Sequence, residues 1–511
     1  MRAAVIDIGS NSTKLVIGED CNGEIKILES LKNVIDLGKN TFYYGRISQD
    51  IINELIQLLF KYQETIKAYE VSEVKVIATT AVREAENKDI FLDTVKRKTG
   101  FDIDVLNVGD VVYYINAFLS HKLKMAYPIH EKNLLIVELG AGSLDVSVME
   151  KGYTLMNLGI PAGTLRLKQF KNRIDGSQKE TFAAVSEYIE NNILSLKNSY
   201  HGIKIDDLIL IDESYTASLK KILPNKKRES NFFKFRLREA KQFLNLITEH
   251  NLDALLKQYQ LPQDIADTID GYAIILHSLF KLIKQHTIYV LETSLSEALL
   301  AHIIFNVELA RKYNKANQLT SVARFLCRKF GTDLRHTRHV ANLAEELFNH
   351  LKATLGLKDD DLLYLTLAAY LHNIGSFISN RAHHKHSEYI INALNLFRLT
   401  DEEIRIIACI ARYHRKATPQ RTHYIYGSLP PNQQILVQKL SSLIRIANAL
   451  DSSHKQKVKK MEIKFNGSQD IHLTVFTQDS FALEKSIFAD IKDLFEEVSG
   501  NKIHLMIRKY G

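Results

Sequence analysis

Ala4 to Leu15 reads A-V-I-D-I-G-S-N-S-T-K-L, a run that few arrangements of backbone accept. Apolar residues lead into an acid, Asp7. A tight turn of Gly9, Ser10, Asn11, Ser12 and Thr13 follows, then a second β-type run through Leu15, Val16 and Ile17. A glycine-containing polar turn between two such runs predicts a β-hairpin. The hydroxyls, the amide and the backbone N–H groups of the turn make a concavity suited to an anion. A carboxylate beside such a cradle makes sense when a divalent cation or an attacking water lies between them. Taken alone, the segment fits either a phosphate loop or an ordinary polar hairpin.

A second copy shifts that balance. Leu134 to Met149 reads L-L-I-V-E-L-G-A-G-S-L-D-V-S-V-M, again strand, acid (Glu138), a turn with Gly140, Gly142 and Ser143, and strand. Two such hairpins, each opening one half of a long N-terminal region, predict a duplicated α/β domain whose turns grip a phosphate chain from both sides. The pattern resembles the actin-like and sugar-kinase phosphate-binding superfamily.

Further segments narrow the resemblance. Val76 to Leu92 (V-I-A-T-T-A-V-R-E-A-E-N-K-D-I-F-L) is similar to the A-T-S-A-x-R-E-A-x-N signature of the exopolyphosphatase / guanosine pentaphosphate phosphohydrolase family. D-I-G-S-N-S at Asp7–Ser12 resembles its first phosphate loop. Leu158–Leu167, Asp270–Leu276, Leu371–Ile391 and Ala411–Lys416 resemble later stretches of that family in the same order. The chain is therefore identified as a member. The resemblance implies two actin-like (ribonuclease-H-like) domains at 1–125 and 126–308, an HD-like all-α domain at 309–453 and a small α/β domain at 454–511. It also implies Mg²⁺ and no organic cofactor, a polyphosphate or guanosine penta- or tetraphosphate ligand, and a homodimer.

Composition is compatible with this. The 511 residues suffice for several domains. Three scattered cysteines form no C-x-x-C, so neither a disulfide framework nor a zinc knuckle is expected. The N-terminus runs straight into a strand, and no charge-free apolar run reaches the ~18–20 residues of a membrane span. A cytoplasmic location without membrane attachment is expected. A net charge of +8 favours polyanionic partners. The densest basic stretch, Lys220–Lys241, interleaves Lys226, Lys227, Arg228, Lys234, Arg236 and Arg238 with Phe232, Phe233 and Phe235. It reads as a solvated face or as a polyanion-steering surface; nucleic acid is not the expected partner.

The resemblance assigns roles in the N-terminal cleft. Ser10, Asn11, Ser12 and Thr13 would cradle the terminal phosphate, with Gly140, Gly142 and Ser143 as the second cradle. Arg83 would clamp phosphate oxygens with its planar fork, and Asp7 and Glu138 would hold Mg²⁺. Departures from the family pattern concentrate here. Glu138 and Ala141 replace an Asp and a Gly of the second loop. Asp212-Glu213-Ser214-Tyr215 replaces a glycine turn, and Leu291–Ala298 lacks expected glycines and an arginine. The position of the family's water-activating glutamate is Val111, with Asp110 as the nearest carboxylate and alternative base. Two readings stay open: a phosphoanhydride hydrolase, or a catalytically weakened protein that binds polyphosphate or an alarmone.

In the helical region His336, His372, Asn373, His386, His414 and Asn448 are spaced like the metal ligands of the HD phosphohydrolase superfamily. Asn373 and Asn448 stand where that superfamily uses Asp. A neutral amide weakens a hard divalent site, so a remnant without paired metals is expected. Asp451 offers partial substitution, and His383, His384, Lys385, Arg412, Arg415 and Lys416 would form at most a basic wall.

Overall fold

The computed structural model describes residues 1–123, 126–200, 202–222, 232–249, 252–415, 417–467 and 470–510. The expectations for Lys226, Lys227, Arg228 and Lys416 fall outside these. The chain divides into two units, Met1–Asn314 and Lys315–Gly511.

In the first unit, β1 (Arg2–Ile8), β2 (Ser12–Cys21), β3 (Glu24–Val34), β4 (Glu73–Ala78) and β5 (Ile103–Val105) form a sheet ordered β3-β2-β1-β4-β5. β1 to β3 are a meander, and β4 and β5 run parallel to β1. The second sheet contains β6 (Asn133–Leu139), β7 (Leu144–Glu150), β8 (Tyr153–Ile160), β9 (Asp207–Ile211), β10 (Phe232–Arg236) and β11 (Thr287–Leu291). Its order is β10-β11-β9-β6-β7-β8. Read from β8 it repeats the first sheet: a meander, then β9 and β11 parallel to β6, with β10 added antiparallel at the edge. The duplication expected from the two hairpins is thus present in the strand order. The central strands β6 and β9 are nearly continuous apolar runs because both their faces are covered.

The amphipathic run at 51–69 is the helix Gln49–Ala68, and that at 180–197 is Gln178–Ser199, opened by a capping box of Ser177 and Glu180. The first unit extends past residue 308 because Tyr313 is buried against Tyr113, its hydroxyl 2.5 Å from Thr154 Oγ1. In the basic stretch Phe233 and Phe235 are buried while Lys234 and Arg236 face outward, as alternation along an edge strand requires, and Phe232, on the outward parity, is covered by Tyr127 and Tyr289.

The second unit is helical from Lys315 to Ala449 and ends in a three-stranded sheet. There β12 (Lys460–Asn466) pairs antiparallel with β13 (Asp470–Thr477), which runs parallel to β14 (Lys502–Lys509). Between β13 and β14 lie two helices, Ala482–Ile491 and Asp493–Ser499, and no glycine or proline marks the division between them. Among the described residues no helix is long and apolar enough to cross a membrane.

One close approach fixes the centre of this unit. A Cβ on Gly375 would lie 2.1 Å from His383 O and 2.3 Å from Ser387 N, so only glycine lets the helix His383–Asn392 settle on the turn after His372. Gly375→Ala is expected to cost at least the ~1–3 kcal/mol of ordinary overpacking. A lowered urea midpoint checks this, and an unchanged midpoint would count against the packing described.

Candidate active site

The two hairpins close in the same way. Gly9 N–H donates to Ser12 O at 3.0 Å, and Gly140 N–H donates to Ser143 O at 2.9 Å. Asp7 pairs across its hairpin with Lys14, and Glu138 pairs with Asp145. The turns then meet. A Cβ on Gly142 would lie 2.7 Å from Ser10 Oγ and 3.0 Å from Thr80 Cβ, so this position admits no side chain. Thr80 Oγ1 and Ser143 Oγ are 3.0 Å apart. The start of the helix Thr164–Lys171 caps the second turn, with Leu165 N–H on Ala141 O at 3.0 Å and Arg166 Nε on Gly142 O at 2.9 Å.

One cavity results, lined by Asp7, Ser10, Asn11, Ser12, Val111, Glu138, Gly140, Ala141, Gly142 and Ser143. Three expected site residues lie outside its lining. Thr13 belongs to β2, opposite Ile8 in the hairpin register, and is fully buried with its hydroxyl unpartnered. Arg83 spends its guanidinium on Leu106 O at 2.7 Å and Thr80 Oγ1 at 3.2 Å, and its charge acts on Asp145. Asp110 sits in the first turn of the helix Val108–Lys122, whose cap is Asn107; Val111, one residue on, faces the cavity. The 100° step of a helix separates the two side chains.

Residues that motif reading passed over complete the wall. Lys14 and Asp145 occupy equivalent positions two residues beyond each turn serine, and hairpin register would have found them. Lys14 is ion-paired with Glu213, and Lys32 Nζ lies 3.5 Å from Asp264. Asp7 Oδ2 accepts from Ser296 Oγ at 3.2 Å. Asp212 accepts from Tyr215 N–H, Thr216 Oγ1 and Tyr272 OH. Tyr215 stacks on Tyr272 at 4.4 Å and bonds both Thr164 and Thr268, filling the place of the expected glycine turn.

The charge balance is unusual for an anion cradle. Asp7, Glu138, Asp145, Asp212, Glu213 and Asp264 share the wall with only Lys14 and Lys32. Both lysines already have carboxylate partners. Desolvation pushes Asp7 and Asp145 up to about 6, and it raises Asp212. Desolvation, then the neighbouring Asp145 and Asp7, hold Glu138 well above the usual carboxylate range. No three His, Cys, Asp or Glu side chains among the described residues enclose a metal position unaided. Asp7 and Glu138 fit a hard cation that takes its remaining oxygens from water and phosphate.

In the second unit His336 and His372 are buried, and Asp451 accepts from His336 Nδ1 at 2.8 Å. Asn373, Asn448, His383 and His414 line a separate cavity with Arg415 and Arg445. Arg412 is turned to Glu388.

The model of the Ppx/GppA phosphatase family matches residues 16–307, and that of Ppx/GppA phosphatase, domain III, matches 318–494. A guanosine-5'-triphosphate,3'-diphosphate pyrophosphatase of Aliivibrio fischeri is 22% identical over 482 residues, 89% of this chain and 87% of that protein. One from Photobacterium profundum is 23% identical over 458 residues, 87% of this chain and 84% of that protein. An exopolyphosphatase structure from Cytophaga hutchinsonii gives a TM-score of 0.54 at 19% identity, covering 60% of this chain and 99% of that one. The Aquifex aeolicus Ppx/GppA family member gives 0.51 at 22%, covering 60% and 98%. At these identities the structures show a shared fold.

A carboxylate raised in the folded state keeps its proton to higher pH than the unfolded chain does. Its favourable share is present below the unfolded value near 3.9 and is lost as pH rises through about 6. In cation-free buffer, stability is expected to fall between about pH 4 and pH 7. Asp7→Asn should flatten that fall by on the order of 1–3 kcal/mol. Urea unfolding across this range checks it, and parallel profiles for the two proteins would show Asp7 to be solvated.

Proposed function

The chain belongs to the Ppx/GppA phosphatase family, and from that membership we propose that it is a phosphohydrolase acting on the terminal phosphate of inorganic polyphosphate or guanosine pentaphosphate. The observation that carries this is the meeting of two equivalent turns over paired carboxylates at one cavity. Such a wall accepts a polyanion only together with positive charge.

Ser10, Asn11, Ser12 and Ser143 supply donors for phosphate oxygens, and Lys14 supplies a cation once it leaves Glu213. Asp7 and Glu138 would hold Mg²⁺. When bound, Mg²⁺ neutralises charge on the phosphate oxygens and favours ionised carboxylates around it. Arg83 keeps Thr80 against Ser143 and offsets part of the rise that desolvation gives Asp145, so it shapes the cradle through its neighbours. In-line attack by water then depends on positioning and charge neutralisation.

A second reading rests on Val111. An isopropyl group faces the cavity where the family resemblance places a glutamate, and it neither orients water nor accepts a proton. A positioned base contributes typically ~10²–10⁴-fold. Ligand binding therefore outlasts turnover, and a slow enzyme grades into a polyphosphate- or alarmone-binding regulator.

Phosphate release from long-chain polyphosphate and from guanosine pentaphosphate, with Mg²⁺ and beside direct binding, is the deciding experiment. Slow, Mg²⁺-dependent release abolished by Asp7→Ala is expected, and binding without any release would favour the regulator. Val111→Glu is expected to raise release at least tenfold where binding is intact. Glu213→Gln, which frees Lys14, is expected to tighten polyphosphate binding about tenfold, the size of a charge-assisted contact of ~1.5–3 kcal/mol. Unchanged affinity in a titration would place the anion elsewhere.

A further inference from the structure

We infer that a nucleoside subsite built on Asp36 and Gln169 extends the phosphate cradle, so that this chain takes a nucleoside polyphosphate in preference to inorganic polyphosphate. The inference rests on the phosphohydrolase reading above and adds to it the chemistry of the group that carries the phosphates. A second cavity, of about 550 Å³, adjoins the first and shares Asn11, Leu165, Asp264 and Thr268 with it. Asn11 belongs to the first phosphate turn, so a ligand whose terminal phosphate lies in that turn has this space beside it. Backbone contacts join the two. Gly38 N–H donates to Ser10 O at 2.7 Å and Ile35 N–H to Asn11 O at 3.2 Å, which fixes the segment bearing Asp36 against the turn.

The wall of the second cavity is poorly suited to more phosphate. Asp36, Asp264 and Asp267 face only Lys39 and Lys168 across it. Most of the positive charge is committed. Lys168 Nζ lies 2.7 Å from Asp267, and Lys32, in the first cavity, lies 3.5 Å from Asp264. The remaining polar lining is mainly amide, from Asn11, Gln169, Asn172 and Gln263. Amides and carboxylates without spare cations recognise a neutral, hydrogen-bonding group.

Two acceptors on this wall stand unused. Asp36 is half-buried and opens the helix Leu37–Tyr44 without capping it, and no donor of the described residues reaches its carboxylate. Gln169 Oε1 is buried with no partner, and Gln169 Nε2 meets Gly38 O only at 3.5 Å, too long to hold the amide in place. An ionised phosphate chain offers oxygen acceptors alone, so it satisfies neither group and is repelled by the first. A nucleoside brings donors, the ribose hydroxyls and the N–H groups of the base. Val34, 54% exposed, and Leu165 give the flat face of the base an apolar edge to lie on. A site whose polar groups await a donor rejects the analogue that lacks one, because those groups are then left unpaired.

The test compares two ligands of equal phosphate number on the full chain with Mg²⁺, guanosine 5′-triphosphate and inorganic tripolyphosphate, by calorimetric titration. The nucleotide is expected to bind about tenfold tighter. Asp36→Ala should weaken it by about tenfold and Gln169→Met by about threefold. Tripolyphosphate should bind Gln169→Met as it binds the parent, and Asp36→Ala no more weakly. Asp36 makes no cap and Gln169→Met keeps the length of the side chain, so both variants are expected to fold, which thermal melting confirms. Equal affinity for the two ligands, or undiminished nucleotide binding in both folded variants, overturns the subsite and leaves the phosphohydrolase reading standing. A chain that binds neither of them, nor long-chain polyphosphate, overturns that reading together with the subsite.

Discussion

The contact between Gly142 and Ser10 is the point on which the N-terminal unit turns. Two turns of like construction lie so close that a single methyl group would strike Ser10 Oγ. The approach is possible because each turn is closed within itself by one backbone hydrogen bond, leaving its side chains free to face the cavity. It is maintained by groups outside the cavity. Thr80 reaches Ser143, Arg83 supports Thr80, and Arg166 holds Gly142 O while stacking on Phe42 at 3.9 Å. The cradle is therefore fixed before any ligand arrives, which is the condition for electrostatic preorganisation.

What this closeness costs is visible in the carboxylates. Packing two acidic hairpins together places Asp7, Glu138 and Asp145 where water is scarce, and each is pushed upward. The fold carries this cost in the carboxylates themselves. Lys14 relieves Asp7 only in part, because Glu213 engages it from the other half of the unit and itself pushes Asp7 upward. Under the proposed function a cation and a phosphate each lower the cost of the other's binding.

Much of this was legible in the residues. Alternation, the paired acids and the glycine turns were enough to place both hairpins and to anticipate the duplication, since strand period and turn chemistry are local properties. Asp7, Glu138 and Val111 stand at the cavity because their positions follow from the end of a strand or the phase of a helix. Thr13 shows the limit of that reasoning. Its hydroxyl suits an anion cradle, but the register of β1 and β2 assigns it to the interior. Arg83 shows another limit. A motif names a guanidinium without revealing that Leu106 O has claimed it, and Glu213 reaches Lys14 across 199 positions of chain. The approach of His383 Nε2 to His414 Nε2, at 3.3 Å, is a detail of helix packing that spacing does not encode.

The substitutions in the cavity form a pattern when their partners are considered together. Tyr215 occupies the place of a glycine turn, yet its hydroxyl is doubly bonded and its ring is stacked, so it is integrated into the wall. Asp212, drawn in beside it, is satisfied by three donors despite its raised proton affinity. Val111 is packed and nearly fully buried. Here Tyr215, Asp212 and Val111 are each complementary to their surroundings, whereas Asp145 Oδ1 on the same wall and Thr13 Oγ1 behind it are buried without a partner, so the polar atoms left unsatisfied belong to the two hairpins themselves.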